Sequence, residues 1–341
     1  MAEPSLFFLL TRDAATFAGA RSPGLAMAHS PRLVVYAALA ANVGIAIAKF
    51  IAAAVSGSAA MLSEGVHSLV DSVNEVLLLY GLRRSQQRPD RLNPLGYGRE
   101  LYFWSFIVAL LVLALGAGFS LYEGVNHILS PEPLRDPTMN YVVLAVGVVF
   151  EGASWWLSLK SVQRKKGRLG YFEAFRSTKD PTTFSVLFED SAALLGLAIA
   201  AAGVYASHAL GDPRIDGWAS IGIAVVLALA SALLARESKA LLIGEPANPN
   251  LLATVCSIAG QVKGVEAVNG VLTLQLGPDH VLVAISAAFD DHLTTVEIEE
   301  SVRVIEARTQ EANLPIVALF IKPQTPERWR ERLRELDGGT G

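Results

Sequence analysis

A single cysteine, Cys256, in 341 residues rules out an internal disulfide framework and a thiolate metal cluster. Lying in a stretch that reads as soluble, it is taken as a small apolar residue. Charge is scarce too. Asp, Glu, Lys and Arg make up 18% of the chain against 52% hydrophobic residues, whereas soluble domains carry roughly a quarter charged. With a mean hydropathy of +0.40, this balance points to an integral membrane protein. The net charge of −4 offers no basic surplus for nucleic acid. A His-Glu-x-x-His pair is missing, which argues against a membrane-embedded metallohydrolase. No Gly-rich phosphate-binding loop is visible, so no nucleotide-driven step is expected, and no enzyme activity or resident cofactor is expected. The opening Met1–Leu10 has a very short apolar run and no basic n-region, against a cleaved signal peptide. Residues 1–31 read as a flexible leader.

What the chain has in quantity is apolar length. Six segments, about 33–56, 61–82, 101–123, 139–160, 184–208 and 217–236, each approach the ~20 residues that cross hydrocarbon. Basic residues alternate between the links. Arg83, Arg84, Arg88, Arg91 and Arg99 lie between the second and third segments. Lys160, Arg164, Lys165, Lys166, Arg168, Arg176 and Lys179 lie between the fourth and fifth. The other links hold only Arg135 and Arg214. By the positive-inside rule both termini are expected on the cytoplasmic side, or on the matrix side in an organelle. The expected fold is a six-helix membrane bundle over 32–240. Its Ala-rich composition, with no basic amphipathic presequence, favours a bacterial-type inner membrane.

Within the second segment lies a polar stripe: Glu64, His67, Asp71, Asn74 and Glu75. Their three- and four-residue spacing stacks them along one helix face. Two readings fit. Transmembrane polar residues join helices, and ionisable ones in a span mark a pathway or site. His67 and Asp71, four apart, also make half of a divalent-metal site. Lys49 in the first segment reads as a lysine snorkelling near a helix end, with a buried ion pair as the alternative. Glu151 in the fourth segment is open to a helix-contact or a ligand role. In the fifth, Asp180 is a candidate helix cap ahead of Pro181, and Glu189 and Asp190 are adjacent, so they point about 100° apart on a helix. Asp216, opening the sixth segment, is expected at the outer surface.

After Arg236 the composition turns polar, and 249–322 reads as a small soluble α+β domain. A helix over 249–261, strands at 265–276 and 280–289, a helix over 294–312 and a strand at 316–321 give the order αββαβ, a ferredoxin-like arrangement. Val281, Val283 and Ile285 alternate as in a half-buried strand. The charged tail, 323–341, reads as frayed or helical.

These residues resemble the cation diffusion facilitator family, through the six segments, His67-x-x-x-Asp71, a carboxylate in the fifth segment and the αββαβ domain. The phrases Ser63–Asp71, Asn93–Gly98, Asp180–Thr183 and Leu187–Gly196 are most similar to the branch containing the mitochondrial zinc exporter of animals and its bacterial relatives. The resemblance implies a homodimeric exporter of divalent metal, zinc first, exchanged for protons. It implies a tetrahedral site to which His67, Asp71 and Asp190 correspond. Its fourth position falls on Val186, which cannot bind metal, and Glu189 is the expected substitute, with Glu151 or water as further candidates. Fewer imidazoles weaken selection against Mn²⁺, Fe²⁺ or Co²⁺. The family's loop histidines are replaced by Asn93 and Tyr97. The soluble domain keeps only His280 and His292, so it is expected to dimerise rather than to sense metal. The rival expectation, drawn from the missing fourth ligand, is a non-transporting scaffold that dimerises through the same domain.

Overall fold

A computed structural model describes residues 31–131, 136–166, 170, 179 and 181–338. The expected leader, but for Pro31, lies outside the described residues, as do Asp180, Arg135, Arg168 and Arg176. Six long helices carry the apolar part: α1 Pro31–Ser56, α2 Ala59–Ser85, α3 Arg99–Leu129, α4 Thr138–Lys166, α5 Pro181–Leu210 and α6 Arg214–Ile243. Among the described residues four of them, α3 to α6, are long and apolar enough to cross a membrane. In α2 the stripe carboxylates interrupt the apolar run. In α1 the continuous described apolar stretch is Asn42–Ser56.

The helices pack through small residues. Ala52, Ala60, Ala200, Leu197, Ile223 and Leu227 form one buried cluster. With lipid as apolar as the core, close backbone approach supplies much of the helix–helix attraction. Gly124 of α3 and Gly217 of α6 show this most sharply. A Cβ at Gly124 would lie 2.7 Å from the Gly217 carbonyl oxygen, and one at Gly217 would lie 2.9 Å from that of Gly124. α3 runs past the expected end at Glu123 to Leu129 and widens to a π-helical turn over Val112–Ala117. Gly124→Ala is expected to destabilise the protein by about 1–3 kcal/mol through overpacking, seen as a lower thermal midpoint in detergent.

Asp216 is not at the surface. It is fully buried and reaches across from α6 to cap the start of α2. Ser58 Oγ donates to its Oδ1 at 2.8 Å, and the Ala60 amide donates to Oδ2 at 3.2 Å. Ser58 Oγ in turn accepts from the Met61 amide. The unpaired amides at a helix start attract such a carboxylate, so a residue that reads as surface is drawn inside by another helix's end.

Residues 84–99 and those from 240 onward form a second compact unit, separate from the helical one. It contains α7 Pro249–Gly260, β1 Val265–Gly277, β2 His280–Phe289, α8 Thr295–Glu311, β3 Ile316–Pro323 and α9 Pro326–Gly338. The αββαβ order is as expected. The sheet runs β1-β2-β3, antiparallel between β1 and β2 and parallel between β2 and β3. Val281, Val283 and Ile285 point into a core shared with Val255, Ala259 and Ile305. Thr294 and Glu297 form a reciprocal capping box at the start of α8. The charged tail is helical over α9, whose Trp329 covers Gly270 of β1.

Candidate functional site

The polar stripe of α2 faces inward. Glu64, His67 and Asn74 are buried, and the Asp71 side chain keeps 21% of its exposure. His67 Nε2 stands 3.4 Å from Asp71 Oδ2 without hydrogen-bond alignment. Neither His67 nitrogen, nor Asp71 Oδ1, nor either amide atom of Asn74 has a hydrogen-bond partner. Buried polar atoms are nearly always partnered, so five orphaned atoms along two turns of one helix mark a place where something is meant to bind. The alternative of polar glue between helices is weakened here, since glue would be hydrogen-bonded.

On α5, Asp190 is buried at 8% exposure. It accepts from Ser154 Oγ at 2.8 Å and from Ser158 Oγ at 3.3 Å, both on α4. Beside it, the Trp155 indole donates to Ser191 Oγ at 3.0 Å. Glu189 Oε1 is buried and unpartnered. Val186, one turn before Asp190, is 36% exposed. Asp71 lies within electrostatic reach of Glu189, Glu151, Asp190 and Lys49. Carboxylates from α2, α4 and α5 thus share one buried region, with His67 and Asp71 in direct contact on α2. Among the described residues, no three His, Cys, Asp or Glu side chains close around a common point. The donor set suits a dication that carboxylate and imidazole would bind. Asp190 would have to exchange its serine bonds for it.

Two features of this region depart from the first reading of the sequence. Ser154 and Ser158, four apart on α4, hold Asp190, and their spacing was the available signal. Lys49 does not snorkel: its Nζ is 2.9 Å from Glu64 Oε2 and both side chains are fully buried. The buried ion pair, the alternative left open for it, is the arrangement found.

The loop between α2 and α3 is closed by its own hydrogen bonds. Asp90 Oδ1 accepts from the Leu92 and Asn93 amides, and its Oδ2 accepts from the Tyr97 hydroxyl at 2.6 Å. The bonds from Tyr97 and Asn93 hold the Asp90 carboxyl below its ordinary pKa. The same Asp90 bond pushes the Tyr97 phenol above its own. The Arg84 guanidinium lies 5.2 Å from the Tyr97 ring centre. Asn93 and Tyr97, which stand where the resembling family carries histidines, thus take structural parts in this loop.

Comparison with known proteins places the chain in a family. A family model described as the cation efflux transmembrane domain matches residues 35–243. The chain is 32% identical over 267 residues to the mitochondrial proton-coupled zinc antiporter SLC30A9 of Homo sapiens, covering 78% of this chain and 47% of that protein. It is 34% identical over 218 residues to metal tolerance protein C4 of Arabidopsis thaliana, covering 63% and 48%. It is 25% identical over 269 residues to the cation-efflux pump FieF of Cronobacter sakazakii, covering 78% and 84%. The chain spans about half the length of the first two of these relatives.

Proposed function

The chain belongs to the cation efflux, or cation diffusion facilitator, family, and from that premise we propose that it is a proton-driven carrier of divalent metal, zinc first. In this proposal α1 to α6 all cross the membrane, with both termini on the cytoplasmic side. The 249–322 domain joins two copies. The membrane is an inner membrane of bacterial type, on the alanine-rich composition, while the human relative is named as mitochondrial. His67, Asp71 and Asp190 bind the ion, and Glu189 stands in for the ligand that Val186 cannot supply.

The observation that carries the proposal is the run of buried, unpartnered donors on α2, with the Asp190 and Glu189 carboxylates in the same electrostatic neighbourhood. Metal binding needs neutral imidazole and ionised carboxylates, so binding releases protons. With the site open to the cytoplasm, the ion displaces protons. Rocking of the helices exposes it to the far side, where protons compete it off. Histidine is suited to this exchange because its ordinary pKa lies near neutrality. Alternating access of this kind needs buried ionisable groups that can be reached from either side in turn.

Val186 and the open spacing of the donors favour one rival, a scaffold that dimerises without transport. A carrier selecting Mn²⁺, Fe²⁺ or Co²⁺ is the variant within the same class. Metal analysis of purified protein, with Glu189→Ala beside it, separates these. The proposal expects a single zinc ion bound per chain, and weaker retention against a chelator, by about tenfold, when Glu189 is lost. Wild-type protein that takes up no divalent metal from excess would leave the scaffold. Preference for manganese or iron over zinc would select the variant.

A further inference from the structure

Lys49 and Glu64 form an ion pair that the proposed metal chemistry does not use. The Lys49 ammonium lies 2.9 Å from Glu64 Oε2 and donates to Ser68 Oγ at 2.7 Å. Both side chains have 0% exposure. The second carboxylate oxygen of Glu64, Oε1, has no hydrogen-bond partner. It lies over α5 at Gly196, where a Cβ would collide with it, so the glycine keeps room for the carboxylate. Along α2, Glu64, Ser68 and Asp71 follow at four- and three-residue steps, so the pair shares the face that carries His67 and Asp71. The charge of Lys49 reaches both of those residues.

As a fastener between α1 and α2 the pair is a poor choice. Removing two charges from water is costly, and an apolar pair of similar volume often holds helices as well or better. Charges within a span mark function more often than adhesion. The orphaned oxygen points the same way, because a purely structural carboxylate would have both oxygens bonded.

We propose that the Lys49–Glu64 pair sets the charge of the transport site. It rests on the reading of His67, Asp71 and Asp190 as that site. Neither residue touches the ion; both act on it through their field. The ammonium offsets Glu64, so the arriving dication meets the site's own carboxylates and not one anion more. A carrier needs this restraint, because an ion held too tightly does not leave.

The test is zinc affinity, by titration of purified full-length protein at mildly alkaline pH, with thermal unfolding followed alongside. Lys49→Met leaves Glu64 without its counter-charge and is expected to tighten zinc binding by about tenfold or more. Glu64→Gln leaves the ammonium alone and is expected to weaken it by a similar factor. The double variant removes one charge of each sign and is expected to return within about threefold of wild type, the mark of direct coupling. Lys49→Arg, which keeps the charge, is expected to stay near wild type. A structural fastener gives a different pattern: both single variants lose stability and shift affinity in the same direction or not at all. That pattern overturns the proposal. Should Lys49→Met fail to fold, Glu64→Gln and the double variant decide alone, since a double variant as weak as Glu64→Gln is equally fatal. Asp71→Asn serves as the reference. If it abolishes binding while the pair variants change nothing, the charge-setting role falls and the site stands. If it leaves binding intact, the site falls and the charge-setting role with it.

Discussion

Asp71→Asn is expected to weaken zinc binding by about a hundredfold or more while leaving the protein folded. The change keeps the shape of the side chain and removes its charge. Loss of a partner that merely supports a ligand already costs about 10–100-fold in metal affinity, and Asp71 is placed here as a ligand itself. Stability should change little, because Asp71 Oδ1 has no hydrogen bond to lose and the contact of Oδ2 with His67, at 3.4 Å, is long. The amide also relieves a carboxylate that has three others within electrostatic reach, so the thermal midpoint should hold or rise. Calorimetric titration read with thermal unfolding distinguishes this from damage to the fold. A lower midpoint with unchanged affinity would assign Asp71 to helix packing.

Val186→His is expected to have the opposite effect, raising zinc affinity by about tenfold or more. Residues four apart stack on one face of a helix, so an imidazole at 186 joins Asp190 in the His-x-x-x-Asp spacing that α2 already has in His67 and Asp71. The replacement should also make Glu189 dispensable. Glu189→Ala, costly in the natural chain, should cost little once residue 186 is histidine. If Glu189→Ala costs the same in both backgrounds, Glu189 supports the fold or a neighbouring carboxylate rather than filling the vacant ligand position.

The parts of this protein written in local periodicity were legible from its sequence. The apolar segments correspond to helices whose starts fall within a few residues of expectation, while α3, α4 and α6 run further than expected, to Leu129, Lys166 and Ile243. The αββαβ order of the second unit was legible because the alternation through Val281, Val283 and Ile285 announces a half-buried strand, found as β2. The α2 half of the candidate site was equally plain, since four-residue spacing fixes which side chains share a face. The α5 half was not. Adjacent carboxylates diverge on a helix, and which one a neighbouring helix bonds depends on α4, whose Ser154 and Ser158 hold Asp190. Lys49 and Asp216 were hidden for a related reason. Each is explained by one partner far along the chain, Glu64 for the lysine and the start of α2 for the aspartate. A lone charge near the end of an apolar run looks the same whether it reaches for water or for another helix.

The central claim is that α2 and α5 together bind one dication and trade it for protons. Zinc flux into proteoliposomes under an imposed pH gradient tests it most directly, with wild type and Asp190→Asn measured side by side. Wild-type flux should rise with the gradient and stop when a protonophore dissipates it, and Asp190→Asn should carry almost none. Zinc movement that ignores the gradient, or that survives intact without the Asp190 carboxylate, would contradict the account.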